Sequence, residues 1–143
     1  MRNSTAMRNS KFEIRRKFEM SESEEKRPYD LEERTFLFAK EVRRFVKLLE
    51  RTIANAEDAR QLIRSSGSVA ANYIEANEAL GKKDFLLHIK ICRKEAKENV
   101  LWLRLLDTEA QPAAESTQQR LITEAGELMN IFGAIYRKKS GDN

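Results

Sequence analysis

QLIRSSGSVAANYIEANEALGKKDFLLHIKICRKEAKENVLWLRLL, residues 61–106, reads as two helices joined at Leu80-Gly81-Lys82-Lys83-Asp84. In the first half Leu62, Ser66, Val69, Tyr73, Ala76 and Leu80 recur at steps of four and three, the spacing that holds one seam of a helix against a neighbour. One residue earlier runs a polar seam of the same period: Gln61, Ser65, Ser68, Asn72 and Glu75. Neighbouring seams lie about 100° apart on a helix, so both border the core. A solvated face is usually rich in Lys and Glu, whereas this one is Ser, Asn and Gln beside Gly67, Ala70 and Ala71. Buried polar groups need partners, which predicts a side-chain network with Arg64 and Glu75 as its charged members. Such a network can specify helix register without any ligand.

The second half continues the pattern through Phe85, Ile89, Cys92, Ala96, Asn99, Leu103 and Leu106, flanked by His88, Ile91, Glu95, Glu98, Trp102 and Leu105. A short connection makes the two helices antiparallel neighbours, so Glu95 and Glu98 can also receive Arg64. Lys83, Lys90, Lys97 and Arg104 stand at strict sevens opposite the buried face, joined by Lys94. A stripe of this kind is a solvated helix surface or a polyanion-binding one.

Several separated motifs resemble one known family. They are Tyr29-Asp30-Leu31-Glu32-Glu33-Arg34-Thr35, Gln61-Leu62-Ile63-Arg64-Ser65, Ser68 to Ala76, Lys83-Asp84-Phe85, Lys94 to Glu98 and Trp102 to Leu106. Together they are similar to the bacterial four-helix bundle proteins encoded in intervening sequences of 23S ribosomal RNA genes. The resemblance runs from about Tyr29 to Leu106, and weakly through the last helix. It implies an antiparallel up-down bundle, similar to the accessory protein of diversity-generating retroelements, a pentamer with a basic RNA-binding surface. Gly67 and Gly81 depart from the family pattern, the latter where a capping Ser is usual.

Composition agrees with an all-α reading. The chain has 143 residues, 35% of them charged, with two Pro and five Gly. Alternating Val-Ile-Thr runs are absent. Residues 1–27 form a repetitive tail, in which Met1-Arg2-Asn3-Ser4 recurs at Met7 to Ser10, without a sustained apolar face. The tail holds eight basic and five acidic residues, so three of the net +4 charges lie there and the rest of the chain is near neutral. The sequence pI of 9.3 is therefore weak evidence for nucleic acid, and only local patches can argue it. Residues 28–139 make up the bundle, and 140–143 are expected to fray.

Helix 1 is expected to start behind Pro28, with Asp30 and Glu33 as a capping-box-like pair. Its seam is Leu31, Thr35, Phe38, Val42, Phe45 and Leu49, widened by Phe36, Ala39 and Val46. Lys40, Arg44, Lys47 and Arg51 line another face, beside Arg43. Asn55 is the expected cap of helix 2. Past a connection from Asp107 to Ser116, helix 4 carries Leu121, Ala125, Leu128, Phe132 and Ile135, and ends in Arg137-Lys138-Lys139, which complement its negative end.

The inventory for chemistry is short. A di-iron bundle site needs two Glu-x-x-His pairs, and His88 is the single histidine. No Gly-rich phosphate loop follows a strand, and Ser65, Ser66 and Ser68 lack a histidine base. No catalytic residue, metal, cofactor or small-molecule substrate is indicated. With Cys92 as the lone cysteine there is no internal disulfide, which fits a reduced cytoplasm. No membrane span or signal sequence is legible. Two readings remain. One is a homo-oligomer, a pentamer by resemblance, that binds structured RNA through Lys40, Arg44, Lys47, Arg51, Lys83, Lys90, Lys94, Lys97 and Arg104, stripes without an exposed aromatic. The other is a structural or adaptor bundle with no nucleic-acid role.

Overall fold

The structure, a computed structural model, describes residues 30–141. The N-terminal tail read from the sequence lies outside the described residues. Four helices follow: α1 (Leu31–Val46), α2 (Ile53–Asn77), α3 (Lys82–Leu105) and α4 (Glu115–Ser140), the last preceded by a 3-10 turn, Pro112–Ala114. No strand occurs among the described residues. The fold is an all-α bundle.

Cross-helix bonds give the order of packing. On α2 and α3, Ser65 meets Asn99, Val69 meets Cys92 and Asn72 meets His88, so partners descend along α3 as they ascend along α2. On α1, Glu32 meets Asn77 of α2 while Arg43 meets Ser66. Arg34 meets Glu124 of α4 while Glu41 meets Arg120. Between α3 and α4, Leu103 meets Gln118, whereas Lys90 lies over Tyr136. Each of these neighbouring pairs therefore runs in opposite directions. Helices α1 and α3 share the same two neighbours, which places them across the bundle from each other.

The four-three seams form the core. Phe38, Val42, Phe45, Leu62, Val69, Ile89, Cys92, Ala96, Leu103, Leu121, Leu128 and Phe132 are all buried. Fully burying one Leu or Phe contributes roughly 1.5–3 kcal/mol, so these positions outweigh any single polar contact in the fold. Amide side chains fasten one end of the bundle. Buried Asn55 donates to the Glu50 and Asp107 carbonyls and accepts from the Asp107 N–H, joining the α1–α2 turn to the end of α3. Gln118 donates to the Leu103 and Leu106 carbonyls at 2.8 Å each, satisfying acceptors that the helix end leaves open.

Several expectations are corrected. Helix α1 stops at Val46 and closes through i to i−3 bonds at Leu48 and Leu49, so Lys47 and Arg51 lie beyond the helix. The cap of α2 is Thr52, whose hydroxyl accepts from the Asn55 N–H; Asn55 is engaged in the tie just described. Leu80 is fully exposed in the α2–α3 turn, past the end of its seam. Helix α4 starts at Glu115 and runs to Ser140, where Gly141 takes the left-handed conformation (φ 88°) and donates to Arg137 O. A glycine suits that position because a side chain would strain it. Gly81 caps α3 without a side-chain bond, as expected of a glycine where Ser is usual.

Candidate nucleic-acid interface

The α2–α3 seam holds the polar network. Ser65 and Asn99 are fully buried and bonded to each other, and Ser65 also donates to the Leu62 carbonyl. A second chain crosses nearer the α2–α3 turn. Asn72 donates to the Ser68 carbonyl and hydroxyl, His88 Nδ1 donates to Asn72 Oδ1 at 3.0 Å, and Asp84 lies 3.4 Å from His88 Nε2. Arg64 reaches Glu95 and Glu98, at 3.4 Å each, and takes Gln61 as a further acceptor. Glu95 is buried while Arg64 is half exposed. Glu75 is not a member of this network. It is exposed, and it sits eleven residues from Arg64 on the same helix, about 16 Å along the axis at 1.5 Å per residue.

The network has little room for solution chemistry. The Cys92 thiol is completely buried, donates to the Val69 carbonyl at 3.5 Å, and is pushed up to about 12 by loss of solvent. At neutral pH it is a thiol and not a nucleophile. The Asn99 amide nitrogen and the Trp102 indole nitrogen are buried without a partner. Among the described residues no group of His, Cys, Asp and Glu is arranged to hold a metal ion.

The basic residues sort into two separate surfaces. Lys83, Lys90, Lys94, Lys97 and Arg104 are all exposed on α3. Lys40 and Arg44 are exposed on α1, and Lys47 and Arg51 line a hollow beside the α1–α2 turn with Asn55 and Arg60. Because α1 and α3 are diagonal, the two stripes face opposite ways and are not brought together within one subunit. Arg43 is spent on structure, donating to the Ala39 and Ile63 carbonyls and the Ser66 hydroxyl. The expectation of stripes without an exposed aromatic is also corrected: Phe36 is half exposed, with Lys40 Nζ 5.6 Å from its ring centre.

Helix α3 divides its charges by sign. Glu95 and Glu98 meet Arg64 of α2, Asp84 lies beside His88 of its own helix, and Lys94 of the stripe stands 4.0 Å from Glu95. On α4, Glu124 and Glu127 turn toward α1 and pair with Arg34, whose pKa rises chiefly through its bond to Glu124. The outer groove between α3 and α4 is left to cations. Lys90 stands over Tyr136 and Lys139 over Phe85, with ring-centre distances of 5.6 and 5.8 Å. Arg93 and Arg137 converge on Gly133. Sequence reasoning missed these two arginines, having assigned Arg137 to the helix end; the signal was Gly133, one turn before Arg137 on the same face.

Residues 28–134 match the sequence profile of the 23S rRNA-intervening sequence proteins. The chain belongs to that family. A comparison with curated proteins gave no match. Among solved structures, the chain is similar to a protein of unknown function from the S23 ribosomal protein family of Bacteroides thetaiotaomicron, at 24% identity and a TM-score of 0.64, covering 78% of this chain and 99% of the other. At that identity the likeness concerns the fold. No helix among the described residues is long and apolar enough to cross a membrane.

Proposed function

We propose that this member of the 23S rRNA-intervening sequence protein family is a non-enzymatic, cytoplasmic, self-associating bundle that binds structured RNA through α3. The observation that carries the reading is the sorting of charge on that helix, with Glu95 and Glu98 turned to Arg64 of α2 and Lys83, Lys90, Lys97 and Arg104 left outward. Phosphate contacts made by such a surface give an attraction that is salt-dependent and largely independent of sequence. A single subunit offers few contacts, and repetition of α3 around an oligomer multiplies them. The diagonal placement of α1 makes its stripe a secondary contact, available to a second RNA segment.

Self-association is supported by apolar surface. Ile74, Leu87, Leu101 and Leu105 are each about half exposed on α2 and α3. Surplus apolar area of this kind is commonly covered by another copy of the chain. A pentamer is the assembly that the family resemblance implies. Sedimentation equilibrium at micromolar concentration is expected to give a multiple of 16.6 kDa, and the monomer mass would refute the assembly.

Lys90, Lys94 and Lys97 replaced together by Gln keep helix propensity nearly unchanged. Anisotropy with labelled 23S ribosomal RNA fragments, from low to physiological salt, is expected to show weaker binding and a shallower salt dependence for the triple variant. Parental affinity and slope in that variant, or no binding by the parent at low salt, would replace this reading with an adaptor bundle.

A further inference from the structure

Two glycines in the bundle have arginines laid over them, and the pair differ in one respect. A Cβ on Gly67 would lie 3.3 Å from Arg43 Nη2; on Gly133 it would lie 3.2 Å from Arg137 Nη1 and 3.3 Å from Arg93 Nε. Arg43 is satisfied by two carbonyls and a hydroxyl. Arg93 and Arg137 donate to nothing and pair with no carboxylate among the described residues. Gly133 itself is buried, so the two side chains form part of its cover.

Two unpaired cations are brought to one point from two different helices, and an anion between them would relieve their mutual repulsion. Neighbouring acids do not supply one: Glu95 and Glu98 face Arg64, Asp84 faces His88, and Glu124 and Glu127 face Arg34. A phosphate group has the right size. Both guanidiniums reach the same point above Gly133, and charge-assisted bonds of about 2.7–2.9 Å to different oxygens of one phosphate span that separation. Arginine's planar fork also suits phosphate better than a lysine ammonium would. Lys90 and Lys97 lie about one turn to either side of Arg93, in line for neighbouring phosphates of the same strand.

We infer that Arg93 and Arg137, converging over Gly133, form a two-pronged seat for a backbone phosphate of RNA. The inference rests on the RNA-binding reading and adds its central contact. Neither arginine is part of the core, so Arg93→Gln with Arg137→Gln is expected to leave the melting curve in place.

Two probes test it on the full chain. Inorganic phosphate is titrated while the arginine Nε–Hε resonances are followed by NMR, and a labelled RNA hairpin is titrated by anisotropy. Phosphate is expected to shift Arg93 and Arg137 saturably and to leave Arg60, which pairs with Glu57 on the surface of α2, in place. The double variant is expected to bind RNA about tenfold more weakly, with a log–log salt slope smaller by about one. Absence of phosphate shifts at these two residues overturns the seat. Parental affinity and slope in the double variant, while the parent binds RNA, overturn the seat alone and leave the α3 reading standing. Phosphate shifts in a parent that binds no RNA reveal a free-phosphate site, and overturn both the assignment to RNA and the reading beneath it.

Discussion

The two seams of α3 are built from the same helix and behave in opposite ways. Toward α2 it presents Glu95, Glu98, Asn99, Cys92 and His88, each bonded to a partner on that helix or on its own. Toward α4 it presents cations that rest on aromatic rings and on a glycine, and meet no acid. The first seam is closed and its charged groups are paired. The second is open and carries unbalanced positive charge. A domain near neutral in total can therefore hold a locally polarised surface, because Glu95 and Glu98 of α3 and Glu124 and Glu127 of α4 are turned into other seams. Net charge conceals this.

A carboxylate introduced on each side separates the two seams most strongly. Asn99→Asp places an ionised group among fully buried neighbours with no cation at hand, and is expected to destabilise by about 3 kcal/mol or more at neutral pH. Arg93→Glu places one beside Arg137, at the surface, and is expected to be neutral or stabilising by up to about 1 kcal/mol. Urea denaturation of both variants is the check. Similar losses in the two would mean that the seams do not differ electrostatically.

Alkaline pH addresses the closed seam next. Cys92 ionises at about 9.0 when unfolded and at about 12 in the fold, because burial disfavours the thiolate. The unfolded state loses its proton first, so this group's stability is intact below about 9 and is lost progressively as pH rises toward 12. The parent's stability relative to Cys92→Ala is expected to fall across that window, by on the order of 1.4 kcal/mol for each pH unit. A difference that does not change with pH would show that the thiol is solvated.

A smaller effect is expected from Arg64→Ala. The variant leaves Glu95 buried without its cation, yet Arg64 is itself half exposed, so the loss falls between the surface and buried limits at about 1–2 kcal/mol. An unchanged denaturant midpoint would remove the ion cluster from the account of the closed seam.

The helical periodicities were legible because burial repeats with the helix turn, and the seam residues from Leu31 to Phe132 carry it strongly. What escaped was set by distant contacts. The four-three steps continue through Leu49 and Leu80, but the chain leaves the helix before each. Asn55 ties the first turn to Asp107, fifty-two residues away, and Gly81 opens the second. Arg64 was expected to choose among three acids, and axial rise alone excludes Glu75. Arg93 and Arg137 were hidden for another reason. Their convergence depends on the α3–α4 register over Gly133, which no local pattern encodes. The facing of the two basic stripes likewise became visible only with the diagonal placement of α1 and α3.

Photo-crosslinking tests most directly which surface meets RNA. A 4-thiouridine-substituted ribosomal RNA fragment is bound at low salt and irradiated, and the attached peptides are mapped by mass spectrometry. Crosslinks are expected in α3 and the last turns of α4, at peptides containing Phe85, Lys90, Arg93 and Tyr136, and are expected to be lost as salt is raised. Crosslinks confined to the Phe36 region of α1, or to the α2–α3 edge around Arg64, would contradict this placement.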